Sequence, residues 1–335
     1  MNDNVVSLNA SLANPDMEKF LAARSAYAAF WKENTFGFLP MLHSSIERHY
    51  NAITTAVEGF ASNAETLVIS IESENLSKLT GKLREAGDAE EKDFFIGEIT
   101  VSVNNICRKL GMLQDGVVAA VKTVESLPVY DASRDVSGYQ TAQARTTSDE
   151  QLCADSLSSK QKDLGELEDA IDVFESNGLD TLFEGKLPTV DQVKELVSMG
   201  TTPAAAVAAV ERALEAVGKL VGGLEESMRY SQLQEQRRAL VAQIKELKTD
   251  QADLVSRSRQ LQGYLEALDR YLSLGEIRQQ WLDENKQICI QLDAAHTRLR
   301  GVKVADVDSA QGLDAVAFEL RAYAQFVVAE FRKYL

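Results

Sequence analysis

Few residues of this chain are of a type and spacing that could do chemistry. His43 and Glu47, four apart, would share one face of a helix and could offer a metal ion two ligands, but no third stands near them. His49 falls on a different face from His43, and His296 is remote in sequence, so ordinary core or surface histidines are expected. Neither Gly185-Lys186 nor Gly218-Lys219 has the glycine frame and the following Ser or Thr of a phosphate-binding loop, and GxSxG and GxGxxG are absent. Cys107, Cys153 and Cys289 are odd in number and far apart, which suits small buried hydrophobes and neither a disulfide framework nor a ligand set. No catalytic residue, cofactor or metal is expected, and the chain does not read as an enzyme.

One segment points to a different chemistry, contact with lipid. Leu196 to Leu224 contains an uncharged turn, Gly200-Thr201-Thr202-Pro203, and then Ala204 to Val210 made only of Ala and Val. Small residues recur at Ala205, Ala209 and Ala213, and again at Gly218 and Gly222. Spacing by four lets helices approach closely, as at membrane helix contacts, and an apolar hairpin tip can reach a bilayer first. The same spacing suits a tightly packed pair of soluble helices, and the residues alone leave both open. The candidate membrane head is Leu196, Val197, Met199, Ala204, Val207, Val210, Leu214, Val217, Val221 and Leu224. No window reaches the roughly 18 uninterrupted apolar residues of a simple spanning helix.

The elements that must position this segment are long helices. Proline stands only at positions 15, 40, 128, 188 and 203, so the stretches 41–127 and 204–335 have no built-in helix breaker of that kind. Asn14-Pro15 predicts a helix start, with the helix running to about Lys32. Ile46, Tyr50, Ile53, Val57, Phe60, Ala64, Leu67 and Ile71 keep one stripe on one helix face, which then shifts to Leu76, Leu79 and Leu83. Phe95, Ile99, Val103, Ile106, Leu110, Leu113, Val117, Ala120, Val124 and Leu127 repeat the device. Residues 128–147 lose the rhythm and read as a loop. Ser148 with Gln151 predicts the cap of a further helix whose stripe is Leu152, Leu157, Leu164, Leu167, Ile171 and Phe174, closed by Asn177-Gly178. Thr189 with Gln192 predicts a short helix over 190–199.

From Ala204 the alternation continues, and leucines then fall at every seventh residue, Leu233, Leu240, Leu247, Leu254, Leu261 and Leu268. The spacing predicts one helix from Ala204 to Leu272, on the order of 100 Å long, with Gly275 ending or kinking it. The positions four after those leucines include Arg237, Gln251 and Ser258, so the seam is partly polar and favours antiparallel packing in a multi-helix bundle over a parallel dimer. Trp281, Ile288, Leu292, Ala295 and Leu299 mark a further helix, and Leu313, Val316, Leu320, Ala324, Val327 and Phe331 the last. The fold class expected is all-α, an elongated helical bundle with a long antiparallel coiled-coil stalk and a hairpin head. Residues 1–160 with 231–335 would form tail bundle and stalk, and 161–230 the mid-chain stalk and head, with its tip near 179–224.

The formal charge of -16 would repel DNA and an anionic membrane alike, and no basic block exceeds Arg237-Arg238, so nucleic acid is excluded as a partner. Met1 to Leu21 carries Asp3, Asp16 and Glu18 and lacks the basic-then-apolar order of a secretory signal. Synthesis in the cytoplasm is expected, with export by another route or release by lysis left open.

In length and helix order, and in the sequence of Tyr271 to Arg300 and Phe318 to Leu335, the chain resembles the B component of the xenorhabdolysin-type binary toxins, relatives of the cytolysin A class of α-pore-forming toxins. The resemblance implies a soluble bacterial subunit released from the cell. It would join a cognate A subunit at a target-cell lipid membrane and rearrange its head within a ring-shaped hetero-oligomeric pore. The A component of that family is longer and has a more hydrophobic hairpin, absent here, which favours B. Carried over by position, 179–224 would face the membrane and the heptad leucines would belong to the stalk. The alternative from the heptads alone is a structural or adaptor coiled-coil protein without membrane activity.

Overall fold

The computed structural model describes residues 12–198, 204–221 and 229–334. Among them the chain is all-α, as expected, and an isolated antiparallel bridge between Lys186 and Arg229 is the one β feature. It divides into two compact units, one from the chain up to Ser133 together with Ala267 onward, the other from Arg134–Glu266.

The first unit contains α1 (Met17–Lys32), α2 (Pro40–Glu74), α3 (Leu76–Glu85), α4 (Ala89–Ser126), the C-terminal part of α9 (Tyr230–Gly301) and α10 (Val307–Arg332). Asp16, not Asn14, caps α1, accepting from the Lys19 N–H at 3.2 Å. Most of each apolar stripe read from the sequence is the buried face: Ile46, Ile53, Val57, Phe60, Ala64, Leu67 and Ile71 on α2 meet Ile99, Val103, Ile106, Leu110, Leu113, Val117 and Val124 on α4, whereas Tyr50, Phe95, Ala120 and Leu127 are only half-buried. The two helices run antiparallel, since Asn105 donates to Glu74 near one end and the Ser45 hydroxyl to the Pro128 carbonyl near the other. The shift of stripe after Ile71 is a break, where Asn75 takes a left-handed conformation (φ 48°) between α2 and α3. Asparagine reaches that region at less cost than most residues. Trp281 and Tyr323 lie within this core, and the Phe20 ring stands 5.2 Å from Phe60 and 6.0 Å from Trp281.

The second unit is built on α5 (Ser133–Ser176) and the N-terminal part of α9, with α6 (Leu179–Leu182), α7 (Val190–Ser198) and α8 (Ala204–Val221) between them. Pairing of α5 with α9 is antiparallel, as the polar seam led us to expect. As residue numbers rise on α5 their partners fall on α9: Tyr139 packs on Tyr264, the Cys153 thiol donates to the Leu247 carbonyl, Glu168 accepts from Arg237, and Glu175 accepts from Tyr230. Leu233 is fully buried and Leu261 nearly so, whereas Leu240, Leu247 and Leu254 are half-buried. Where only two helices meet, one partner covers a leucine from one side, and the ends are completed by further elements. Leu268, fully buried, already belongs to the first unit.

Three expectations are corrected. Residues 133–147 are helical, so α5 starts fifteen residues before Ser148. The Asp131 carboxylate accepts from the Ser133 N–H at 3.0 Å at its start, and Tyr139 on Tyr264 and buried Thr146 hold a stretch too polar to show a stripe. Residues 204–272 are not one helix, because α8 and α9 are separate and α9 begins at a backbone pairing with the link after α6. Gly275 neither ends nor divides α9, which runs 72 residues, about 110 Å at 1.5 Å per residue. An interior glycine costs about 1 kcal/mol, and buried Tyr271, Leu274 and Trp281 on either side outweigh it.

Candidate functional site

The region singled out for lipid contact is a small helical head with its own core. The last turns of α5 contribute Leu167, Ala170, Ile171 and Phe174. At Gly178 the chain turns through φ 61°, a conformation that favours glycine, then forms α6 and turns again at Glu184 and Gly185 (φ 50° and 75°). Leu179 and Leu187 from this link point into the same core. Thr189 and Gln192 make the expected reciprocal cap of α7, with the Thr189 N–H donating to the Gln192 side chain at 2.9 Å and the Gln192 N–H to the Thr189 hydroxyl at 3.3 Å. Val193 of α7 is buried in that core as well.

The helix α8 then presents Val207, Val210, Ala213, Leu214 and Val217, on one face, to these residues and to Leu233 of α9. Leu214 and Val217 are fully inaccessible and Val210 is 1% exposed. The opposite face is charged, with the Lys194–Glu211 ion pair (3.6 Å) tying α7 to α8 and Lys219–Glu215 (3.0 Å) closing along α8. The small residues also have a structural use. Ala209, Ala213 and Ala216 line a groove of about 340 Å³ with Ala170 and Val173 of α5, so they leave space between two helices of one head.

Of the ten candidate head residues, Val207, Val210, Leu214 and Val217 are brought together in this core. Leu196 and Val197 fall on α7, and Ala204 and Val221 at the two ends of α8, with side chains outside the described set. Met199 and Leu224 lie outside the described residues altogether. No helix among the described residues is long and apolar enough to cross a membrane.

The neck of the head escaped sequence reasoning. The Tyr230 N–H donates to the Gly185 carbonyl at 2.9 Å beside the Lys186–Arg229 bridge, and its hydroxyl donates to Glu175 and accepts from Gln234. Arg237 pairs with Glu168 about two turns further along. The dipeptides Asn177-Gly178 and Glu184-Gly185 signal the turns, but nothing local announces that the second turn meets the start of α9, because that pairing spans some 45 residues.

The three histidines and three cysteines form no centre. Among the described residues no group of His, Cys, Asp or Glu could hold a metal ion. His49 is buried against Tyr27, its Nδ1 2.8 Å from the Ser45 carbonyl, an arrangement in which Nδ1 carries the proton. Burial holds its pKa below the ordinary value, with Arg278 and Arg48 adding to the effect against a raising influence from the Ser45 bond. His296 is lowered for the same first reason.

Neither a family model nor a curated protein sequence matches the chain. Solved structures do match its fold over nearly their whole length. PaxB from Photorhabdus luminescens has a TM-score of 0.78 at 12% identity, covering 97% of this chain and 99% of its own. XaxB from Xenorhabdus nematophila has 0.78 at 15%, covering 96% and 100%. A chain of the XaxAB pore complex from the same organism has 0.68 at 13%, covering 96% and 99%. At these identities the likeness is one of fold.

Proposed function

We propose that this chain is the B component of a two-component α-pore-forming cytolysin. Among its described residues no helix is long and apolar enough to cross a membrane, and it joins a longer A subunit at a target-cell membrane. There it opens its head and enters a ring-shaped hetero-oligomeric pore. The observation that carries the reading is a fold shared from end to end with XaxB and PaxB, with no part of either left unmatched beyond a few per cent. The protein in the XaxAB pore complex, which shares the fold less closely, is consistent with a chain of this type having a second arrangement.

The head supplies a physical route. The apolar face of α8 is satisfied by a core of about a dozen side chains, and fully exposing five of them to water would cost on the order of 10 kcal/mol. Lipid tails or neighbouring subunits remove that cost, so the same face can exchange one apolar environment for another when both are offered. A ring would leave charged faces, such as that of α8, toward a water-filled lumen. Within this reading residues 161–230 act as mid-chain stalk and head, 179–224 as the membrane-facing tip, and the heptad leucines of α9 as stalk. Release from the producing cell is part of the same proposal.

The test is leakage. The protein is mixed with dye-loaded phosphatidylcholine–cholesterol vesicles and with erythrocytes, with and without the product of a neighbouring open reading frame for a longer helical protein. Leakage that needs both proteins is expected. Its absence in every combination would overturn the reading and leave the structural or adaptor coiled coil.

A further inference from the structure

The arm of the second unit has two flanks of opposite charge. The seam that α9 turns toward α5 contains Leu233, Ile244 and Leu261, all buried, and half-buried Leu240, Leu247 and Leu254. Taken in heptads from that seam, one flank of α9 between Gln234 and Gln262 carries Arg238, Lys245, Lys248 and Arg259, with Val241 47% exposed among them, and no carboxylate. The other flank carries Glu246, Asp250 and Asp253 at the same levels, with Arg257 as its one cation. These charged residues are all exposed, and none of the four cations forms a salt bridge among the described residues. The basic flank extends about 30 Å along the helix at 1.5 Å per residue. In a chain of net charge -16, a carboxylate-free strip of that length is not the average surface.

We infer that the basic flank of α9 is a docking surface for a second copy of this chain, which offers it the acidic flank of its own α9. The two flanks lie on opposite sides of the α5-facing seam, so the contact is heterologous: each copy uses one flank on each neighbour, and repetition closes a ring or runs on as a filament. A two-fold dimer would instead set like charges together. Complementary charge at matching levels fixes the axial register between neighbouring arms and disfavours slipped pairings, and Val241 lies where the contact can become dry. The inference deepens the proposed function, on which it rests, by naming the lateral contact between arms.

Two variants test it, K245E/K248E, which makes both flanks acidic, and E246K/D250K, which makes both basic. Each changes only exposed side chains, and far-ultraviolet circular dichroism checks that helix content is kept. Assembly is read by crosslinking and sedimentation on phosphatidylcholine–cholesterol vesicles at low and high salt, with and without the longer neighbouring protein, alongside leakage. Either variant alone is expected to lose about tenfold in copy-to-copy crosslinks, and an equal mixture to regain them, since each acidic flank then meets a basic one. Wild-type crosslinks are expected to weaken as salt rises. Rescue by mixing also excludes misfolding, because two misfolded chains do not repair one another.

If wild type leaks vesicles and crosslinks as before in both variants, the inference falls and the pore reading stands. It falls in the same way if wild type leaks with no crosslinks between copies, or if the variants lose only crosslinks to the longer protein, which would make that protein the occupant. If wild type neither assembles nor leaks in any combination, the pore reading fails and takes the inference with it.

Discussion

In the unit formed by the chain up to Ser133 and from Ala267 onward, the core is aromatic and enclosed on many sides, with Trp281 and Tyr323 at its centre and Phe20 and Phe36 against α1 and α2. In the unit Arg134–Glu266 the arm is a two-helix pair with half-buried leucines, and the head core is Val, Leu, Ile and Ala with Phe174 its one fully buried aromatic among the described residues. Large rings bury 150–250 Å² each and fix their neighbours, whereas a core of small aliphatic side chains loses less when it is taken apart. The difference teaches where a rearrangement would be confined: the first unit is over-determined, and the head is held by few contacts of modest size.

Breaking that contrast starts with the largest effect. Trp281→Ala should cost about 3–5 kcal/mol in chemical denaturation, since it removes the largest fully buried side chain. Leu214→Ala should cost less, about 2–3 kcal/mol, because the head can partly collapse around a small void. Its mark should be faster amide exchange in α8 with unchanged protection in α2 and α4, and uniform loss across the chain would erase the distinction between the units.

Mild acid should weaken the first unit more than the second, since His49 and His296, both held below the ordinary imidazole pKa, belong to it. The folded pKa values of His49 and His296 lie below the ordinary 6.5, with burial as the main cause. The unfolded chain therefore takes up protons first as pH falls through about 6.5. Stability is full above that pH, declines below it, and levels off once the folded imidazoles are protonated too. His49→Gln should flatten part of the decline that sets in below about pH 6.5, which a series of thermal melts would read. Leu247→Ala on the half-buried seam should cost only about 1 kcal/mol. Arg332→Ala, which removes an exposed ion pair with Glu65 at 2.8 Å, should stay within about 0.5 kcal/mol.

The helices of the first unit were legible because each buries a continuous stripe, and period alone reveals which side of a helix is covered. The reciprocal cap of Thr189 and Gln192 was legible for a related reason, since both partners sit within one turn. Residues 133–147 were not, because a helix exposed on most sides has no stripe to read. The break between α8 and α9 was hidden in turn by an apolar rhythm that continues on both sides of it. Of the candidate head residues, the sequence picked out a set that does share one surface, Val207, Val210, Leu214 and Val217, while spacing left open what that surface meets.

By itself, then, the order of residues determined an all-α chain, the faces its helices bury, the antiparallel arm and the absence of a recognisable catalytic motif. These follow from side chains repeating at helical period, a property of each segment alone. Only the tertiary structure decided that the apolar side of α8 closes onto α5, α7 and Leu233, that Tyr230 meets Gly185 at the neck, and that the arm has a basic and an acidic flank once its seam is fixed. Those facts depend on which distant segments come together, and an apolar face specifies that it must be covered without specifying by what.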